Sequence, residues 1–245
     1  MASAACDLIH EVLGHGTAAL LSPGVTAMSL TTVALTTSGA SRLVAVAGTM
    51  ANLVAGAAAL AFVLVRRGSG TMRVFAWLLM SFDLMNAAAY PVYSALLGSG
   101  DWAALIGGPP TPAAWRVGLG LLGMAAYAGS VRLSAACLRG LATDGVVRRR
   151  DLPRLAVVPY VAGGLLLIAG AALNPIGPRL ILTSGAATGF GAMAGLLATP
   201  ALAGEPSDAR AGPWSRLGFA RTWVVAAAAV AALFVFVIGP GIRLS

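Results

Sequence analysis

Long apolar runs separated by short polar segments make up most of this chain. A helix that crosses a membrane needs about 20 consecutive, mostly apolar residues. The runs that approach this length cover residues 3–21, 42–65, 73–97, 114–138, 155–173, 179–202 and 222–238. The pattern therefore predicts an all-α fold, a polytopic membrane helical bundle with about six to seven transmembrane helices.

A segment rich in Thr, Val and Ser, at residues 25–37, interrupts the helical pattern after the first apolar run. Its partial alternation of apolar and polar residues is typical of extended chain. The pairs Pro23-Gly24 and Ser38-Gly39 flank it, and both are turn signals. We therefore predict a short extended or hairpin segment that lies against one face of the membrane.

The composition of the chain also favours membrane insertion. Of its 245 residues, 58% are hydrophobic and 10% are charged, whereas soluble domains carry about 25% charged residues. The net charge of +8 comes mainly from arginines in short clusters between the apolar runs. Clusters placed in this way mark membrane orientation rather than a nucleic-acid-binding face. We expect an integral membrane protein whose partner is the lipid bilayer, with no binding of nucleic acid.

The positions of the arginines predict an orientation in the membrane. Most of them flank the connections that follow the second, fourth and sixth predicted helices: Arg66, Arg67, Arg73, Arg139, Arg148, Arg149, Arg150, Arg154, Arg210, Arg216 and Arg221. Loops rich in Lys and Arg stay in the cytoplasm. The pattern predicts a bacterial-type plasma membrane location, with the N-terminus in the cytoplasm and the C-terminus outside.

Both histidines of the chain lie in one apolar segment near its start. Glu11 directly follows His10, and His15 comes five residues after His10. Ionisable groups inside a membrane need partners, and His is the commonest metal ligand. A zinc hydrolase needs two neutral imidazoles on the ion and a carboxylate beside the bound water. This chemistry makes His10 and His15 candidate metal ligands and Glu11 a candidate catalytic base.

The five-residue spacing of the histidines limits this interpretation. On an ideal α-helix, that spacing turns the second imidazole roughly 140° away from the first. Both imidazoles reach one ion only if the helix contains a one-residue bulge, and such bulges often occur at functional sites. Gly14 and Gly16 permit a local distortion of this kind.

A regular helix gives a competing geometry. Asp7, Glu11 and His15 then share one face, while Cys6 and His10 share another. In that case Asp7 or Cys6 is a metal ligand instead. The same groups also suit a hydrogen-bonded polar network that holds helices together without any metal.

Residues 9–19, which include His10-Glu11 and His15-Gly16, resemble the zinc helix of the site-2 protease-like integral membrane metallopeptidases. The extended segment that follows, and then the small residues around Gly48, are also similar to the layout of that family. The usual family spacing between the two histidines is four residues, so this chain has one extra residue.

This resemblance, which covers roughly the first 105 residues, implies a zinc metallopeptidase that performs intramembrane proteolysis. Zinc is then the cofactor, and the substrate is a membrane protein or peptide cleaved within or beside the membrane. Residues 1–105 become the metal-site membrane core. Residues 106–245 supply additional transmembrane helices of the same continuous membrane domain.

Two aspartates compete for the role of third metal ligand. Asp101 follows Pro91, as the ligand aspartate of the family follows its proline segment, and a helix broken at Pro91 folds Asp101 back inward. Asp83 lies about ten residues into its predicted helix, at a depth closer to that of the histidines. Segment order favours Asp101, and Asp83 is the alternative.

Three further polar residues are candidates to line the site: Asp7, Asn86 and Tyr90. Asn86 and Tyr90 share a predicted helix with Asp83, and ordinary helix packing is the alternative explanation for both. Two rival functions use the same polar cluster. One is an ion or proton relay in a membrane protein, and the other is a metal-free membrane enzyme.

Overall fold

Helices account for most of the structure, a computed structural model that describes residues 1–39, 41–65, 69–106, 112–204 and 221–244. The first helix, α1, has an α-helical start at Ala2–Leu8, a π-helical middle at Ile9–Gly16 and an α-helical end at Thr17–Leu21. The next helices are α2 (Arg42–Val65), α3 (Gly70–Leu97), α4 (Asp101–Leu105), α5 (Ala113–Thr143) and α6 (Leu152–Ala172). The prediction of a helical bundle is confirmed.

The last two helices also change type along their length. Helix α7 is π-helical at Ile181–Ala192, tightens to 3₁₀ geometry at Ala194–Ala198 and ends as α-helix at Thr199–Ala203. Helix α8 is α-helical at Arg221–Ala232 and π-helical at Leu233–Ile238.

Five helices within the described ranges are long and apolar enough to cross a membrane: α2, α5, α6 with the short 3₁₀ turn before it, α7 and α8. Helices α1 and α3 fall outside this set because they carry most of the polar residues of the candidate site. Large apolar side chains point outward from the bundle, and Val54, Leu182 and Phe236 are each at least 70% exposed. An apolar outer surface of this kind fits a membrane protein. The predicted number of spans stays a prediction.

A small antiparallel sheet lies at one end of the bundle. It pairs a hairpin that follows α1 with a strand close to the C-terminus. Strands β1 (Thr26–Leu30) and β2 (Leu35–Ser38) form a hairpin, which confirms the predicted extended segment. Strand β3 (Ile242–Arg243) pairs with the other edge of β1, so the order is β2-β1-β3. The sequence did not predict β3.

Three side-chain contacts show which helix ends lie beside the sheet and which lie at the opposite end of the bundle. Asn174, just after α6, donates a hydrogen bond to Thr31 of the hairpin. At the opposite end, Arg73 forms an ion pair with Asp144, and Arg139 donates to the carbonyl of Ala203. These two basic residues therefore lie at the end of the bundle away from the sheet. The membrane orientation itself stays a prediction, and Arg66, Arg67, Arg210 and Arg216 lie outside the described residues.

Helix α3 occupies the centre of the bundle. Its side chains Trp77, Met80 and Met85 are fully buried, and the Trp77 indole donates to the backbone carbonyl of Ser134 on α5. Pro91 lies inside α3, yet the helix continues to Leu97. A helix break at Pro91, the route considered for turning Asp101 inward, is therefore not present. The chain turns after α3 instead, where Gly98 and Gly100 adopt positive φ angles of 63° and 87°.

Candidate metal centre

The π-helical middle of α1 brings the two histidines together. In π-helical backbone each N–H bonds to the carbonyl five residues back, so residues five apart lie one turn apart. The Nε2 atoms of His10 and His15 are 3.2 Å from each other, and both side chains are buried. The helix thus contains the distortion that a shared ion requires.

Asp101 lies opposite the two imidazoles. Its Oδ2 atom is 3.0 Å from Nε2 of His10 and 3.3 Å from Nε2 of His15. The positive-φ glycines after α3 direct the chain back toward α1, and Trp102 donates to the Thr49 hydroxyl, which holds α4 against α2. Among the described residues, His10, His15 and Asp101 form the one cluster that can hold a metal ion.

Asp83 lies behind this cluster rather than in it. Its Oδ1 atom accepts a 2.6 Å hydrogen bond from the Asn52 amide, and the Asn52 carbonyl oxygen lies 2.6 Å from Nδ1 of His10. Cys6 contacts the same Asn52 amide through its backbone oxygen. The structure therefore brings Asp101, and neither Asp83 nor Cys6, to the two imidazoles.

Asn52 is the residue that the sequence analysis missed. It is fully buried in the middle of α2 and orients His10. A strongly polar amide inside a 24-residue apolar helix was the available signal, because such groups are retained where they have partners. The Asn52 amide nitrogen faces two acceptors, the Cys6 carbonyl and the Asp83 carboxylate, so the oxygen of the amide faces His10.

The hydrogen bonds at Nδ1 fix the protonation of both imidazoles. Nδ1 of His15 lies 2.6 Å from the backbone oxygen of Val44, and Nδ1 of His10 faces the Asn52 oxygen. Both oxygens only accept, so each Nδ1 carries a proton and donates it. A neutral imidazole then has a bare lone pair at Nε2.

Three acceptor atoms therefore converge on one point: two Nε2 lone pairs and one carboxylate oxygen. Buried acceptors that face one another without a donor repel each other and lose their hydration. A cation between them removes this cost. Either a metal ion or an extra proton shared by the imidazoles serves this purpose, and two imidazoles with one carboxylate are a common ligand set for transition metals.

Close contact between α1 and α2 depends on two glycines. A Cβ atom added at Gly14 would lie 2.5 Å from the Gly48 Cα atom, and one added at Gly48 would lie 2.5 Å from Nε2 of His10. Only glycine fits at both positions. The short distance between the helices lets Val44 and Asn52 reach the two histidines.

Gly48→Ala is expected to weaken metal binding by about 10²-fold, because overpacking a tight site costs about 1–3 kcal/mol and the clash here falls on a ligand atom. Competition with a chromophoric chelator measures the dissociation constant. The matched control is Gly129→Ala on α5, where an added Cβ meets nothing within 4 Å. Equal metal affinity in the two variants would contradict the packing argument.

Asn52→Ala is expected to lower the metal affinity about 10–100-fold, which is the usual effect of removing a group that orients a metal-binding histidine. The same competition assay measures the loss. Asn174→Ala is the control, since Asn174 is also buried but bonds to Thr31 of the hairpin. The interpretation of Asn52 fails if both variants bind metal like the wild type.

Glu11 lies beside the cluster and is held by the hairpin. Its side chain is 4% exposed, and its Oε2 atom accepts a 2.7 Å hydrogen bond from the backbone N–H of Leu35, the first residue of β2. Glu11 is not a member of the His10, His15 and Asp101 cluster. The carboxylate therefore lies next to the cluster and is bonded to the hairpin instead.

A cavity of about 1060 Å³ opens beside the cluster. Helices α3, α5 and α7 line it together with strand β2 and the residues before it, and the side chains of Glu11, His15 and Asp101 face it. Asn86 and Tyr90 also line the cavity, and their part in a functional site stays a prediction. Asp7 is buried in α1 and is not among the lining residues.

No family model, curated protein or solved structure matches this chain. The resemblance to the site-2 protease-like enzymes stays a prediction from the sequence of α1 and of the segments that follow it.

Proposed function

We propose that this chain is a membrane-embedded zinc metallopeptidase that cleaves membrane or juxtamembrane segments of other proteins. The observation that carries the proposal is the convergence of the His10, His15 and Asp101 acceptor atoms next to a buried glutamate. Catalytic zinc sites have three protein ligands of this type and one open position.

The distances support zinc as the ion. Tetrahedral ligands at about 2.0–2.1 Å from zinc lie about 3.3–3.4 Å from one another. The three separations among the candidate ligand atoms are 3.0, 3.2 and 3.3 Å. Small outward shifts are enough to accept the ion. Asn52 and Val44 hold the imidazoles in the required tautomer.

In the proposed reaction, three residues hold the ion and one residue transfers protons. Zinc, when bound, acidifies water and polarises the scissile carbonyl. His10, His15 and Asp101 hold the ion. Glu11 takes a proton from the attacking water and delivers it to the leaving nitrogen. The hydrogen bond from Leu35 keeps the Glu11 carboxylate in place.

An extended peptide is the substrate that the cavity suits. Strand β2 has one partner strand, β1, within the described chain, and Leu35 and Thr37 of β2 line the cavity beside Glu11. An exposed strand edge binds peptides through main-chain hydrogen bonds. The polypeptide would lie along β2, with one of its peptide bonds next to Glu11.

The test incubates purified protein with solubilised host membranes and identifies new protein N-termini by mass spectrometry. Zinc-loaded protein is expected to create N-termini within or next to transmembrane segments. The metal chelator 1,10-phenanthroline should abolish them, and added zinc should restore them. Membranes without the protein are the control. Absence of new N-termini with the zinc-loaded protein would refute peptidase activity.

One observation favours a second candidate, a proton relay. A hydrogen bond through one shared proton also gives the 3.2 Å separation between the two Nε2 atoms, and Asn52 links His10 to Asp83. This candidate requires a chain that binds no metal and moves protons across liposome membranes. Zinc at about one ion per chain would exclude it.

A further inference from the structure

The Tyr90 side chain packs against His10, one of the three candidate metal ligands. Its ring stacks on the His10 imidazole with a centroid distance of 4.4 Å and an interplanar angle of 20°. Tyr90 lines the same cavity as Glu11 and Asp101. The ring therefore belongs to the wall of the site where the reacting carbonyl of a substrate would lie.

The hydroxyl of Tyr90 has no hydrogen-bond partner among the residues that the structure describes. A half-buried tyrosine usually pairs its hydroxyl, because the O–H group loses water when it is covered. Stacking on His10 needs only the ring, which phenylalanine would supply equally well. The unpaired donor is therefore free for a group that enters the cavity.

Neighbouring residues on α3 do not offer the same donor. The Asn86 amide nitrogen lies 3.5 Å from the Asn52 oxygen, the same oxygen that contacts Nδ1 of His10, so it is engaged on the side of His10 opposite Nε2. Tyr93 lines the cavity, but its ring lies next to Gly100 and makes no ring contact with either histidine. Of the three, Tyr90 alone combines a free hydroxyl with contact to a candidate ligand.

We propose that Tyr90 is a catalytic residue whose hydroxyl donates a hydrogen bond to the oxygen that becomes negatively charged during peptide-bond cleavage. This inference rests on the proposed peptidase function. Preorganised donors aimed at such an oxygen are among the strongest contributions to catalysis.

The step balances as a hydrolysis. The water oxygen bonds to the carbonyl carbon while Glu11 takes one water proton, and the C=O electron pair moves to the carbonyl oxygen. Tyr90 donates a hydrogen bond to that oxygen and keeps its own proton. When the C=O bond re-forms, the C–N bond breaks and the Glu11 proton goes to the nitrogen. The products are a carboxylic acid and an amine.

The first experiment needs no substrate. Cobalt-substituted protein is titrated with acetohydroxamate, whose oxygens chelate a metal ion and imitate the charged oxygen, and the visible cobalt spectrum reports binding. Tyr90→Phe keeps the ring stack and should bind cobalt at the wild-type stoichiometry. Its affinity for acetohydroxamate should fall about tenfold or more, because a hydrogen bond to a charged group is lost.

Tyr93→Phe is the matched control and should bind acetohydroxamate like the wild type. Equal acetohydroxamate affinity in Tyr90→Phe and the wild type would overturn the role of Tyr90. Loss of cobalt in Tyr90→Phe would also overturn it, since the hydroxyl would then hold the site together instead. These outcomes differ from failure of the proposed function, in which the wild-type chain itself binds no metal.

A second readout uses a peptide whose cleavage has been found with solubilised membranes. Tyr90→Phe should lower kcat about 10²-fold with little change in KM, since the hydrogen bond forms only when the charge develops. A rise in KM with kcat unchanged would assign Tyr90 to substrate binding and contradict the proposal.

Discussion

His15→Ala purified in mild detergent is expected to contain no zinc, whereas the wild-type chain contains about one zinc ion per molecule. The variant removes one of three converging acceptor atoms, and the two that remain, on His10 and Asp101, cannot hold the ion with an open position. Atomic emission spectrometry on protein expressed with added zinc measures the metal content.

Cys6→Ala is the matched control for this loss. Cys6 lies on the same helix and was a candidate ligand, but in the structure its backbone oxygen and its thiol both contact the Asn52 amide, and alanine retains the shorter, backbone contact. We expect wild-type zinc content in Cys6→Ala. Zinc loss in Cys6→Ala with retention in His15→Ala would assign the metal to the regular-helix geometry instead.

Glu11→Gln is expected to keep its zinc and to lose cleavage of membrane proteins. Glutamine preserves the size of the side chain and an oxygen for the Leu35 N–H group, but it cannot take a proton from water. General acid–base groups contribute about 10²–10⁴-fold to a rate. The yield of new N-termini from host membranes measures the activity, and the zinc content is measured in the same samples.

Asp7→Asn provides the comparison for Glu11→Gln. Asp7 is a buried carboxylate one helical turn earlier in α1, and the lining of the cavity does not include it. We expect Asp7→Asn to retain cleavage. If Glu11→Gln cleaves as well as the wild type, Glu11 is not the general base, whatever the zinc content.

The apolar runs and the turn signals were sufficient to predict the helical bundle and the hairpin, because both depend on local sequence. The third strand could not be predicted in the same way. Strand β3 consists of two residues and pairs with β1, more than 200 positions earlier in the chain. No local pattern identifies so distant a partner.

The candidate site could be predicted from residue types that are rare in an apolar segment, but the arrangement of its residues in space could not. The two clustered histidines identified α1, and their spacing required the bulge that appears as π-helix. The position of Asp101 depends on the glycine turn after α3 and on the contact between Trp102 and Thr49. The roles of Asn52 and Val44 follow from the approach of α2 to α1, which only the three-dimensional structure reveals.

X-ray absorption at the zinc edge of the wild-type protein tests the central claim most directly, because it counts the ligand atoms around the ion. We predict two imidazole nitrogens and one or two oxygens at about 2.0–2.2 Å, with no sulfur. A sulfur ligand at about 2.3 Å, or fewer than two imidazoles, would contradict a site formed by His10, His15 and Asp101.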